Sequence, residues 1–183
     1  MEIEIVNGVQ SLFSDFTVFI STFFSYFSSW VGFVFVLFTF LLFCKFRFVL
    51  TFGISAAITS AVVNLLKIVI RRPRPYMASM EVMNLLEETG FSMPSGHTAN
   101  AAVIAIFLAY WIYLSPNIKS WLKWLLWSMC GLFVAITMFS RIFLGQHYLS
   151  DTIVGLIIGA GLVICGVLIY DKFIKDKSFK KKQ

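Results

Sequence analysis

This chain is poor in charge, in cysteine and in histidine, and each shortage closes off a class of protein. Only 13% of its 183 residues are charged, against 59% hydrophobic and 17% aromatic. Soluble domains carry about 25% charged residues, so an ordinary water-facing surface is excluded. The composition places the chain in a membrane, as one compact helical domain. The cysteines Cys44, Cys130 and Cys165 lie inside apolar runs with no CxxC or Cys/His spacing. That excludes a disulfide framework and a zinc site. The opening residues Met1, Glu2 and Glu4 lack a basic n-region, so no cleavable signal peptide is expected. A net charge of +6 could suggest nucleic acid, but six lysines (172, 175, 177, 180, 181 and 182) follow Tyr170. A basic tail beside an apolar span reads as a topology anchor on anionic lipid, and no nucleic-acid partner is expected.

What is present is a succession of apolar runs. Residues 3–25 mix Glu4, Asn7, Gln10, Ser14 and Asp15 with Ile, Val and Phe, and predict an amphipathic interfacial helix whose second half could enter the bilayer. Spans are expected at about 26–44, 48–70, 97–114, 121–139 and 152–170. The second, with 23 residues, reaches roughly 35 Å as a helix, enough for a hydrocarbon core of about 30 Å. Arg71-Arg72-Pro73-Arg74-Pro75 ends it, because proline removes a donor and restricts its predecessor. Residues 76–93 are the one sizeable polar connection, with a short surface helix expected to end at Gly90. Gly155-x3-Gly159 in the last span fits a small-residue packing face. The fold expected is an all-α polytopic membrane bundle of five to six transmembrane helices, preceded by the amphipathic helix. One domain covers 1–183: the N-terminal segment 1–25, a helical bundle 26–170 and a basic cytoplasmic tail 171–183.

Charge also predicts orientation. With five spans, one face holds ten of the fifteen Lys and Arg residues, including the tail, and the other holds Lys67, Arg71, Arg72, Arg74 and Arg141. The positive-inside rule puts the ten in the cytoplasm.

Three segments on the less basic face then stand out. In the first, Lys67-x6-Arg74-Pro75, Lys67 breaks an apolar helix near its end. It either snorkels to the interface or, with the planar fork of Arg74, addresses phosphate oxygens. In the second, Pro94-Ser95-Gly96-His97 opens a span, where free backbone N–H groups make an anion site. Ser95 is a helix cap or a phosphate ligand; Gly96 lets an oxygen approach the backbone. In the third, Ser140-Arg141-x5-His147-x3-Asp151, helical spacing from 147 would put His147 and Asp151 on one face. A carboxylate on one ring nitrogen leaves the other as a nucleophile; alternatively Asp151 caps the last helix. The chain's only two histidines, His97 and His147, share this membrane face with Lys and Arg. Together these residues describe a phosphate pocket with a nucleophile inside it.

Across residues 67–151 the triple motif resembles the signature of the type-2 phosphatidic acid phosphatase superfamily, and the surrounding spans resemble its membrane branch. The resemblance implies that His147 attacks phosphorus, oriented by Asp151, and that His97 protonates the leaving oxygen and then activates water. It implies that Lys67, Arg74, Arg141, Ser95 and the Gly96 N–H hold the phosphoryl oxygens. Arg71 and Arg72, outside the matched positions, are expected to contact headgroups or the interface. No metal and no cofactor are implied. The expected partners are the bilayer and a lipid phosphate of the undecaprenyl diphosphate, phosphatidylglycerophosphate, phosphatidic acid or lipid A type. A membrane transporter or binding protein that holds such an anion without hydrolysis is the alternative.

Overall fold

A computed structural model describes residues 1–174; residues 175–183, most of the expected tail, lie outside the described residues. All regular structure among the described residues is helical: α1 (Glu2–Gln10), α2 (Asp15–Phe27), α3 (Trp30–Phe43), α4 (Phe46–Ile70), α5 (Pro75–Ala78), α6 (Gly96–Leu114), α7 (Ser120–Phe143) and α8 (Leu149–Ile169), which runs into a π-helical turn, Tyr170–Ile174. Helices α4, α6, α7 and α8 are each long and apolar enough to cross a membrane, and the bent pair α1–α2 would make a fifth crossing. The protein is a multi-pass membrane bundle, with its outer phenylalanines, such as Phe16, Phe19 and Phe38, exposed where lipid would lie.

The N-terminal third departs from the expected pattern. In place of one amphipathic helix there are two, meeting at 119°. Ser14 starts the second by accepting the Thr17 N–H, while the Thr17 hydroxyl accepts the Ser14 N–H, a reciprocal cap worth about 1 kcal/mol. The span expected at 26–44 is interrupted at Ser28–Ser29, where Ser29 caps α3 through the Val31 N–H. Gly32 permits this junction, because a Cβ there would sit 1.7 Å from the Phe27 carbonyl oxygen. The remaining α3 has 14 residues, about 21 Å of helix, and falls short of crossing by itself.

Helix α6 is the central element, packed on α8, α7 and α4, while α2 lies on α7 and α3 joins α2 to α4. Lipid tails are as apolar as side chains, so close packing rather than hydrophobicity joins helices here. Two devices supply it. Phe40, Phe48, Phe52 and Phe107 meet edge to face at 5.1–5.6 Å between ring centres, each pair worth about 0.5–1.5 kcal/mol. Between α6 and α8 the side chain is dispensed with. A Cβ on Gly155 would lie 2.4 Å from the Ser95 carbonyl oxygen, and one on Gly159 2.5 Å from that of Ala99. Gly155→Ala is therefore expected to cost about 1–3 kcal/mol, read as a lower thermal midpoint in detergent. Gly161→Ala on the same helix meets nothing within 4 Å and is expected to be neutral or stabilising. Equal midpoints for the two variants would refute the packing argument.

Residues 79–95 contain no helix ending at Gly90, contrary to the sequence pattern. Apart from one turn in which the Ser79 carbonyl accepts the Val82 N–H, their backbone groups bond to distant parts of the chain. Tyr76 donates to the Glu88 carbonyl, Arg74 to those of Thr89 and Gly90, and Gln146 to that of Leu86. Helix α1 also anchors this connection: Gln10 donates to the carbonyls of Met83 and Phe143 and accepts the Met83 N–H.

Candidate functional site

The three motif segments converge on one cavity of about 430 Å³ whose walls include Lys67, Glu88, Gly96, His97 and His147. His147 lies in the turn between α7 and α8. Gly145 makes that turn possible at φ +74°, where a Cβ would also meet the Met83 carbonyl oxygen at 2.3 Å. The Arg141 carbonyl then accepts the Gln146 and His147 N–H groups. His147 therefore precedes α8 rather than riding on it, and the i,i+4 contact with Asp151 is made from turn to first helical turn.

Nδ1 of His147 stands 3.6 Å from Oδ2 of Asp151, beyond hydrogen-bond length. Ser92 fills the interval, its hydroxyl bonded to Asp151 Oδ2 and 3.4 Å from the His147 Nδ1. Asp151 is fully buried and also accepts the Tyr148 N–H at 2.9 Å and Arg72 Nη1 at 2.7 Å. It is the third residue of α8, with Tyr148 as the N-cap, so the capping alternative does not hold in its simple form. Burial first, and then the positive charges of Arg141 and Lys67, push the His147 imidazole well below its usual range. In the fold it stays neutral while an unfolded chain would already bind a proton. Acid below the ordinary imidazole value therefore disfavours the folded state, and the ring keeps its lone pair at neutral pH.

Arg72 is not a headgroup contact. It pairs with Asp151 and Glu2, donates to Ser150 and lies 3.9 Å over the Tyr148 ring. It thus clamps α1 to the start of α8 and supplies the buried Asp151 with a counter-charge.

Arg74 and Arg141 are buried, 3% and 0% exposed, and reach the cavity wall through Glu88. Arg74 is held by Gln146 Oε1 at 3.0 Å and by the loop carbonyls; Arg141 bonds Ser25 of α2. Both meet Glu88, Arg141 Nη2 at 2.6 Å and Arg74 Nη1 at 3.1 Å. Burial alone would raise the Glu88 carboxyl, but Arg141, His97 and Arg74 outweigh it and bring it to about 2. Nε of Arg141 is buried without a partner, an unused donor on the guanidinium that holds Glu88. His97 Nε2 lies 3.8 Å from Glu88 Oε1. Lys67 does not snorkel away: its ammonium donates to the Phe91 carbonyl at 2.6 Å and borders the cavity. Ser95 is the N-cap of α6, accepting the Thr98 N–H at 3.4 Å, and Gly96 leaves the helix terminus open to the cavity.

Four of the eight expected site residues, Lys67, Gly96, His97 and His147, line the cavity; Arg74 and Arg141 reach it through Glu88, Asp151 lies against His147, and Ser95 caps the helix that carries Gly96 and His97. Sequence reading missed Glu88, Ser92, Gln146 and Gln10. Only Glu88 left a usable trace, as one of nine acidic residues in the chain, nine positions before His97. Three cations around a cavity call for a carboxylate.

The PAP2 superfamily model matches residues 48–175. Phosphatidylglycerophosphatase B of Bacillus subtilis is 32% identical over 96 residues, 52% of this chain and 45% of that protein. The chain thus spans less than half of that curated relative's length. The crystal structure of the first transmembrane PAP2 type phosphatidylglycerolphosphate phosphatase from Bacillus subtilis superposes with a TM-score of 0.83 at 21% identity, covering 96% of this chain and 87% of that one. Aquifex aeolicus LpxE does so at 0.77 and 24%, covering 91% and 94%. At these identities the two structures speak for the fold.

Proposed function

Because this chain belongs to the PAP2 superfamily, we propose that it hydrolyses the terminal phosphate of a membrane lipid, a monoester or a diphosphate, through a phosphohistidine on His147. The observation that carries the reading is a buried, neutral imidazole on the wall of a cavity that also presents Lys67, His97 and a carboxylate gripped by two arginines. With Nδ1 turned to Ser92 and Asp151, Nε2 presents its lone pair. It forms the N–P bond as the P–O bond to the lipid breaks, and His97 gives a proton to the departing oxygen. In the second half-reaction His97 takes a proton from water, whose oxygen attacks phosphorus, breaks the N–P bond and frees inorganic phosphate. Lys67, Arg74 and Arg141 hold the equatorial oxygens with Ser95 and the Gly96 N–H. These cations supply the charge a metal would otherwise bring, so the reaction is proposed to be metal-independent.

The lining of the cavity supports a lipid as the substrate class. Its walls include Tyr26 and Trp30 at the α2–α3 junction and Val63 and Asn64 on α4, a lateral position suited to a lipid tail. Related proteins are named phosphatidylglycerophosphatase B, lipid A 4'-phosphatase and dolichyldiphosphatase, each a phosphatase named for a lipid. Undecaprenyl diphosphate and phosphatidylglycerophosphate are our preferred candidates. From the distribution of Lys and Arg we place the site on the outer face and the C-terminal tail in the cytoplasm, with the whole chain acting as one domain.

The test is phosphate release from a panel of lipid monophosphates and diphosphates in detergent, with and without EDTA. Wild type is expected to release phosphate from at least one, insensitive to chelation. His97→Ala is expected to lower that rate about 10²–10⁴-fold. A wild type that binds these lipids and releases no phosphate would make the chain a binding protein or transporter.

A further inference from the structure

A carboxylate of the protein itself lies where a phosphoryl group would bind. Glu88 Oε2 accepts from both Arg141 and Arg74, at 2.6 and 3.1 Å, and Oε1 faces His97. The backbone around it is fixed on both sides. Leu85 N–H bonds the Leu144 carbonyl, Tyr76 holds the Glu88 carbonyl at 2.8 Å, Arg74 those of Thr89 and Gly90, and Lys67 that of Phe91. The connection therefore cannot lift as a lid. Glu88 can leave the arginines only by turning its side chain, which is 22% exposed and borders the cavity.

We propose that Glu88 is a tethered competitor that sets the affinity threshold of the site. Terminal phosphoryl dianions clear it and the phosphodiester lipids of the surrounding bilayer do not. This deepens the reading of the site as a lipid phosphate hydrolase and rests on it. A phosphodiester headgroup brings one negative charge and two terminal oxygens, the same as the carboxylate it must displace, so the exchange gains little. A terminal phosphate brings close to two charges and three oxygens. One oxygen replaces Glu88 Oε2 between the two arginines, a second replaces Oε1 beside His97, and the third is left for the unpartnered Arg141 Nε. Displacing Glu88 weakens every anion by the same factor. The threshold discriminates because the intrinsic affinities of the two classes fall on either side of it. Between turnovers an unguarded pair of arginines would be taken by the phosphodiesters that a phospholipid bilayer presents in vast excess, whereas here the protein's own carboxylate holds them until a stronger anion arrives.

The experiment uses the full chain in neutral detergent, hydrolysing short-chain phosphatidic acid, with short-chain phosphatidylglycerol as the phosphodiester inhibitor. Wild type is expected to be scarcely inhibited at excess phosphodiester. Glu88→Gln is expected to lower the phosphodiester inhibition constant roughly tenfold or more, given that charge-assisted bonds are about twice as strong as neutral ones, and to lower KM with it. Glu88→Asp, with a shorter reach, should fall between. Glu87→Gln removes the same charge from an exposed neighbour and should leave the inhibition constant where it was. If Glu88→Gln does not fold, Glu88→Asp decides alone, because a weakened competitor must still bring the constant down. An inhibition constant that is unchanged or raised in the Glu88 variants overturns the proposal, leaving Glu88 a structural counter-ion. Wild type releasing no phosphate from phosphatidic acid or any other lipid in the panel would instead overturn the hydrolase reading beneath it.

Discussion

His147→Ala should abolish turnover, lowering phosphate release by about 10⁴-fold or more, and should abolish the phosphoenzyme with it. The effect is this large because no second group is placed to take over. The only other histidine, His97, stands across the cavity beside Glu88, and Asp151 is enclosed by Arg72, Ser92 and the Tyr148 N–H. Quenching in alkaline SDS during turnover of a ³²P-labelled lipid phosphate, followed by gel separation at alkaline pH, reads the intermediate directly: an acid-labile, base-stable label in wild type and none in the variant. His97→Ala supplies the contrast. It should still accept label from a substrate whose leaving group needs no proton, because His97 enters as acid and base rather than as nucleophile. Label persisting on His147→Ala, or turnover within tenfold of wild type, would move the nucleophile elsewhere.

The second large effect falls on Arg141, where activity and stability are lost together. Arg141→Ala removes the guanidinium expected to carry transition-state charge, about 10²–10³-fold in rate by analogy with the loss of one oxyanion donor. It also strands Glu88 beside Arg74 alone and releases Ser25. Breaking a buried ion pair from one side costs about 3–5 kcal/mol, so the thermal midpoint in detergent should fall clearly. Arg141→Lys should rescue little of the rate, because one ammonium cannot reproduce a fork that spans Ser25, Glu88 and the cavity. The two losses can be separated. Adding Glu88→Gln to Arg141→Ala removes the stranded charge and should recover stability without recovering rate. Parallel recovery of both would mean that Arg141 serves only as scaffold.

The membrane elements were largely legible because each is a mostly apolar run closed by charge or proline. The expected 48–70, 97–114, 121–139 and 152–170 correspond to helices α4, α6, α7 and α8 with ends shifted by at most four residues. The break between α2 and α3 was not legible. Two serines make it without Pro, Gly or charge at the turn itself, and the glycine that permits it lies three residues on. The motif residues were visible as chemistry because His, Lys and Arg are rare in an apolar chain. Their supporting partners were not. Gln10 reaches a residue 133 positions away, Ser92 one 59 away, and Arg72 one 79 away. Ser and Gln are common enough to pass as surface, and Arg72 looked like part of a basic stop signal. Glu88 was passed over for a related reason: a carboxylate in a polar loop looks solvated until the fold puts two arginines against it.

The glycines on α8 bear on how this site tolerates its surroundings. Asp151 and the Ser95–His97 segment belong to different helices, and the Ser95 N–H bonds the Asp151 carbonyl across their junction at 3.0 Å. Below that bond the two backbones touch at Gly155 and Gly159 with no side chain between them. Lateral pressure in a bilayer changes with lipid composition and temperature, and a helix pair cushioned by long side chains would yield to it by changing rotamers. A seam of backbone on backbone has no such compliance, so the outer helices take up the strain while the spacing between the proposed proton donor and the nucleophile's partner stays constant.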